Sequence, residues 1–243
     1  MTLRTVPLAA LFLATLMVSA CASAKDPEAL AQNDPWESTN RQVFAFDIKL
    51  DHAVLLPTAK FYRSAVPEPA REGVHNALTN LNSPVVFAND VLQGDADKAS
   101  STFGRFVINS TVGVAGLVDV AAKAGIPGHD NDFGITLGKA GAAEGSYLVL
   151  PFAGPKPPRD LVGEGVDVAF DPVNYLAWGG VTLFQLVRGG LGVIDDRAAN
   201  IDTVESIERS SIDFYATTRS LYRQHRNAEI NEGKPNIENL PNY

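Results

Sequence analysis

Apolar residues recur at helical rather than alternating spacing along most of this chain, and the breakers between them cut it into short amphipathic pieces. The first piece opens at Asp34-Pro35, where a capping side chain precedes proline and Glu37 supplies an early acid. Val43, Phe46 and Leu50, joined by Phe44 and Val54, share one broad face, and the helix is predicted to stop near Pro57. After VPEP, residues 70–80 read as a second helix with Val74, Leu78 and Leu81 on one side. Ser83-Pro84 then restarts a third, carrying Val85, Val86, Val91 and Leu92. A fourth is predicted from about 96 to 110, with Phe103, Phe106 and Val107 apolar beside Arg105. Gly104 in its interior costs about 1 kcal/mol against alanine, which predicts close approach by another backbone or a ligand.

From Phe103 to Pro155 glycines alternate with short apolar blocks. Such a stretch makes a tightly turning core, or it lines a cavity or a membrane interface. Residues 117–124 could form two helical turns ending at Gly125, and Asp132 is placed to cap FGITLG. Tyr147, Leu148, Val149 and Leu150 are the one strand-like run, stopped by Pro151. Beyond the proline-rich AGPKPPRD, Arg159-Asp160 opens a helix running through Val166 and Phe170. Asp171-Pro172 restarts it into an apolar region, Val173 to Ile194, broken by Gly179-Gly180, Arg188 and Gly189-Gly190. Its uninterrupted pieces are too short to span a bilayer, so an interfacial or buried helix pair is expected. Asp202 caps the last predicted helix, 203–227, whose buried face is traced by Val204, Ile207, Tyr215, Thr218 and Tyr222. No repeat or internal boundary interrupts residues 34–230. The pattern predicts a mainly α, single compact domain of short amphipathic helices, with at most a small hairpin or strand near 145–152, and a polar tail at 231–243.

The N-terminus changes the picture. Arg4 is followed by PLAALFLATLMVSA, ending at the chain's one cysteine, Cys21. A charged start, a short apolar core and small residues at the cut describe an export signal over residues 1–20. A lone cysteine excludes an internal disulfide, and VSAC resembles the bacterial lipoprotein box, in which the cysteine becomes the lipidated first residue. Residues 21–33 then read as a lipidated tether. Ala22, rather than aspartate, follows the cysteine, which favours sorting to the outer membrane. The net charge of -8 and a pI near 5.0 argue against nucleic acid and against attraction to anionic headgroups, so membrane contact is expected to be apolar.

Catalytic signatures fail. The sequence holds no G-x-S-x-G elbow, P-loop, G-x-G-x-x-G or H-E-x-x-H. His52, His75, His129 and His225 have no ligand spacing and are expected at the surface, and Asp195-Asp196 reads as a solvated turn. No cofactor, metal or catalytic residue is expected.

In order along the chain stand DPWESTNR with VFAFD, LQGD, GRFVINSTVGVAGLVDVA, DFGITLG, and YLVLPFAGPKPPRD leading to VGEGVD, all behind a lipobox. Together these resemble the MlaA family, also called VacJ lipoproteins, over the whole mature length. The resemblance implies a helical, ring-like outer-membrane lipoprotein seated in the inner leaflet. Such a protein would draw mislocalised phospholipid from the outer leaflet through an amphipathic channel and pass it to a periplasmic carrier, MlaC, beside a trimeric porin. On that reading Asn109, Gly113, Gly116, Phe133, Gly134, Thr136, Leu137, Gly138, Tyr147, Pro151 and Phe152 are expected at the channel wall or its loops. Trp36, Phe44 and Phe46 are expected at the membrane or porin. The alternative is an adaptor lipoprotein that binds porins without passing lipid.

Overall fold

A computed structural model describes residues 27–232. The predicted signal peptide, Cys21, the first part of the predicted tether and residues 233–243 lie outside the described residues. The regular secondary structure of the described residues is helical apart from one small hairpin. Helix α1 is Pro27–Ala31, within the stretch read as a tether, and its Ala29 is buried. Helix α2 is Glu37–Leu50. It runs through a π-helical turn, Asp51–Leu55, into α3, Leu56–Ala65. The predicted stop near Pro57 is therefore corrected. The wide turn, with Leu56 N–H donating to the Asp51 carbonyl, relieves the clash between a proline ring and the preceding turn, so the helix continues. Arg197 clamps this turn by gripping the Asp51 carboxylate at 2.8 and 2.9 Å.

Helix α4, Glu68–Leu92, is one element of 25 residues with Pro84 inside it, where the sequence predicts two. Packing of both halves against α5, α8 and α9 outweighs the one backbone hydrogen bond that proline forfeits. Helix α5, Ala96–Thr111, matches its predicted span and is capped by Asp95. A Cβ at Gly104 would meet nothing within 4 Å, so no other backbone approaches there, contrary to expectation. Helix α6, Val120–Lys123, is a single turn capped by Asp119, shorter than predicted. Helix α7, Phe133–Lys139, is capped by Asp132 as the sequence predicts. Strands β1, Val149–Leu150, and β2, Gly154–Pro155, pair antiparallel, Val149 opposite Pro155.

Helix α8 is Pro158–Phe170; a 3₁₀ turn, Pro172–Tyr175, leads to α9, Val181–Ala199. Gly179-Gly180 does break the apolar region, whereas Gly189-Gly190 lies inside α9. The last predicted helix is two. Helix α10 is Ile201–Ser210 and α11 is Phe214–Ile230. The break falls at Asp213, which caps α11 through the Ala216 N–H and is held by Arg41 at 2.6 and 3.1 Å. Asp202, predicted as the cap, lies in the first turn of α10 and pairs with Arg63.

Packing partners close a circuit. The continuous α2–α3 rod meets α9, α9 meets α4, α4 meets α8, α8 meets α7, and α7 meets α11. Helix α11 returns to α2, where Phe44 packs against Phe214 and Tyr215 at ring separations of 5.4 and 5.5 Å. The apolar core is correspondingly thin. One cluster joins Val43, Tyr147, Val149 and Tyr215, and another joins Ala59, Ala198 and Ile201.

The usual segregation of apolar core from polar surface is weak. Among the described residues the buried polar and charged residues are nearly as numerous as the buried apolar ones, 13 against 14. Meanwhile Phe61, Phe103, Val112, Leu183 and Leu186 are more than half exposed. Water-soluble domains bury the second group and expose the first. No described helix is long and apolar enough to cross a membrane.

Candidate functional site

Asp34 is read from sequence as a helix cap, but α2 starts at Glu37 and the Asp34 carboxylate is turned inward. There it meets Arg219 at 2.6 Å, the Tyr215 hydroxyl, and the Asn40 amide at 2.7 Å. Asn40 also donates to the Tyr147 carbonyl and accepts from the Val149 N–H, tying the hairpin to α2. A fully buried anion is tolerable when paired and hydrogen-bonded, and that arrangement displaced the cap.

A second network lies where α7, α8 and α11 meet. Arg226 forks onto both oxygens of Asp132 at 2.7 and 2.9 Å and reaches Asp160 at 3.0 Å. Asp160 further accepts from the Tyr222 hydroxyl at 2.6 Å and from Arg159 at 3.0 Å. Burial pushes the Asp160 carboxyl up, but these donors outweigh it and hold its pKa below the ordinary aspartate value. The network fits because α7 and α8 touch through glycines. A Cβ on Gly163 would lie 2.4 Å from the Gly134 nitrogen.

Two cavities flank this junction and share Glu164 and Asp167. The smaller, about 260 Å³, is lined by Asp132, Lys156, Asp160, Tyr222 and Arg226 besides the shared pair. The larger, about 460 Å³, lies between α4, α8 and α9, with Asp171, Asn174, Gln185 and Arg188 on its wall and Val85 and Val168 as apolar patches. Along the same α4–α9 seam a third, about 400 Å³, is lined by Glu68, Arg71, Glu72, His75 and Asp195. The enclosing helices also carry exposed apolar side chains outside the cavity lining: Leu161 and Val162 on α8, and Leu183, Leu186 and Val187 on α9. Polar hollows beside apolar outer surfaces can hold a molecule with a charged head and hydrocarbon tails.

The residues singled out from sequence sit around these cavities more than in them. Asn109 is buried and holds the α5–α6 turn, donating to Asp119 and accepting from the Ala121 N–H. Gly113 and Gly116 shape that turn. Gly116 has φ +92 and backs onto Asn80, where a Cβ would come within 2.7 Å of a side-chain carbon. Phe133 stacks edge-on with Phe170. Gly134 is buried against Arg226 and Asp160, Gly138 backs onto Ile230, and Leu137 beside it is half-buried. Thr136 donates to Asn89. Tyr147 is fully buried in the core, and Pro151 is half-buried in the hairpin turn. Phe152 projects from that turn, 77% exposed, with its ring 5.6 Å from that of Phe46. Trp36 and Phe46 are exposed, whereas Phe44 packs into the core. None of the proposed wall residues is among those lining the cavities above, but their charged neighbours are.

Sequence reasoning missed Asp167, Asp171, Asn174, Gln185 and Arg188, although VGEGVD and a lone arginine in an apolar run were visible signals. It also misplaced Asp195, which is buried within α9 rather than in a solvated turn, bonded to Tyr62 at 3.0 Å and to His75 at 3.1 Å. His129 is half-buried on Asp90 rather than at the surface. His75, Asp195 and Asp196 bring ligand-capable atoms within 4.8 Å of one another.

Comparison with known proteins bears directly on this arrangement. The sequence model of the MlaA lipoprotein family matches residues 32–229. The intermembrane phospholipid transport system lipoprotein MlaA of Haemophilus influenzae is 34% identical over 235 residues, 94% of this chain and 93% of its own length. The Escherichia coli K12 protein of the same name is 33% identical over 239 residues, 97% of this chain and 93% of its own. A structure solved in work on the structural basis for maintenance of bacterial outer membrane lipid asymmetry superposes with a TM-score of 0.73 at 32% identity, covering 81% of this chain and 98% of its own. The mainly helical fold, the motifs and these relatives agree: the chain belongs to the MlaA lipoprotein family.

Proposed function

We infer that this protein is the lipoprotein component of an intermembrane phospholipid transport system and acts in maintaining outer-membrane lipid asymmetry. The weak segregation of polarity, with charged side chains buried and large apolar ones exposed, is the observation that carries this reading from the relatives to this chain. Apolar side chains on the outside suit a lipid surround, and charged hollows between α4, α8 and α9 suit a headgroup. Moving a phospholipid breaks no covalent bond, so no catalytic constellation is required. In the finer reading Cys21 is acylated and holds the fold on the periplasmic face of the outer membrane, where acyl chains contribute about 0.8 kcal/mol per buried CH₂. Phospholipid leaves the outer leaflet through the ring and passes to an MlaC-like periplasmic carrier, beside a trimeric porin. Trp36 at the start of α2, Phe46 towards its end and Phe152 on the hairpin beside Phe46 are exposed and are offered to membrane or porin.

Replacing Cys21 by Ala tests the anchor. The expected result is loss of the protein from the outer-membrane fraction and surplus phospholipid in the outer leaflet. Normal outer-leaflet lipid in a strain whose protein is mislocalised would contradict this reading.

A further inference from the structure

Five carboxylates line the two cavities that meet at α8, and four of them are neutralised. Asp132 and Asp160 share Arg226, Glu164 pairs with Lys156 at 2.8 Å, and Asp171 with Arg188 at 2.5 Å. Asp167, on the wall common to both cavities, makes no ion pair among the described residues and of the cations feels only the more distant charge of Arg226. Its oxygens accept from the Asn89 amide at 2.8 Å and from the Phe133 N–H at 3.0 and 3.1 Å. Two neutral donors leave lone pairs of a carboxylate unused. Burial raises the Asp167 carboxyl above its ordinary value, so the site disfavours the bare anion and a bound cation would relieve it.

In the larger cavity Arg188 is the one cationic lining residue. One of its terminal nitrogens is spent on Asp171, while the other makes only a 3.4 Å contact with the Leu81 carbonyl, leaving donors for a phosphate. Val85 and the exposed Val168 line the same cavity as Arg188 and Asp167. A guanidinium, an unneutralised carboxylate and apolar flanks are complementary to a phosphodiester, a primary ammonium and acyl chains.

Resting on the phospholipid-transport reading above, we propose that the cavity selects zwitterionic, ethanolamine-type phospholipid, Asp167 receiving the ammonium and Arg188 the phosphate. A headgroup of net negative charge has nothing to offer Asp167. It meets a wall whose acids outnumber its bases, and like-charge juxtaposition is how sites reject wrong partners.

The full-length lipidated protein is equilibrated in detergent with equal amounts of phosphatidylethanolamine and phosphatidylglycerol, re-isolated, and its bound lipids weighed by mass spectrometry. The wild type is expected to enrich the ethanolamine lipid by about fivefold, on the order of 1 kcal/mol of discrimination. Asp167→Asn keeps an acceptor for Asn89 and Phe133 and is expected to bind lipid with the preference reduced to within about twofold. Asp202→Asn, which removes an exposed carboxylate on α10 that pairs with Arg63 and lines neither cavity, keeps the preference. Equal uptake of the two lipids by the wild type overturns the proposal whatever the variants do, as does a preference that survives Asp167→Asn or disappears in Asp202→Asn. Wild type that takes up neither lipid counts against the transport reading itself.

Discussion

Replacing Arg226 by Met destabilises the protein by about 3–5 kcal/mol, the range for breaking a buried ion pair by removing one partner. Arg226 is only 9% exposed and is the shared counter-ion of Asp132 and Asp160, so its removal leaves the buried Asp160 carboxylate on α8 under-compensated, with Arg159 and the Tyr222 hydroxyl as its remaining donors. Thermal unfolding in detergent should show a midpoint roughly 10 °C lower, at about 2–4 °C per kcal/mol for a domain of this size. Adding Asp160→Asn to the variant should recover part of the loss, because the stranded charge goes with it. The sign of the pH dependence follows from Asp160. Its folded pKa is depressed, so its contribution is present above the ordinary aspartate value of about 4 and is lost as pH falls through the lower folded value. The Arg226 variant should show a shallower loss of stability on acidification. An unchanged midpoint would mean that the network is not buried as described.

The second large effect is at the α7–α8 crossing. Gly163→Ala places a methyl group 2.4 Å from the Gly134 nitrogen and 2.7 Å from its Cα. Backbone cannot yield as a side chain does, so the two helices must separate, at a cost of about 3 kcal/mol or more. Two residues on, Gly165 meets nothing within 4 Å, and Gly165→Ala should stabilise by up to about 1 kcal/mol through helix propensity. Gly104→Ala, in equally open space inside α5, should behave like Gly165→Ala. Denaturant melts of the three variants check the opposite signs. A Gly163→Ala midpoint at or above wild type would refute the crossing.

Those glycines mark where sequence reading ends. Spacing revealed helices wherever one face stays apolar, as for α5, and caps wherever a side chain bonds locally, as for Asp132. It failed where a distant partner overrode a local signal. Asp34 caps nothing because Arg219, far along the chain, claims its carboxylate. Pro57 stops nothing because a π turn, clamped by Arg197, precedes it. Gly104 and Gly163 look alike in sequence, yet one faces open space and the other a backbone. The cavity wall was hidden for the same reason. Asp167 and Arg188 belong to separate helices, and only the fold makes them face one hollow. Residues of the glycine-rich stretch chosen from sequence, such as Asn109 and Tyr147, turned out to hold turns and core. Legible without any structure were the motifs, because their order and spacing, rather than any single contact, define the family.

Native mass spectrometry of the detergent-extracted, full-length protein tests the central claim most directly. The account predicts co-purified phospholipid that transfers to a periplasmic carrier when one is added. Protein that is folded, free of phospholipid and unable to pass any on would contradict it.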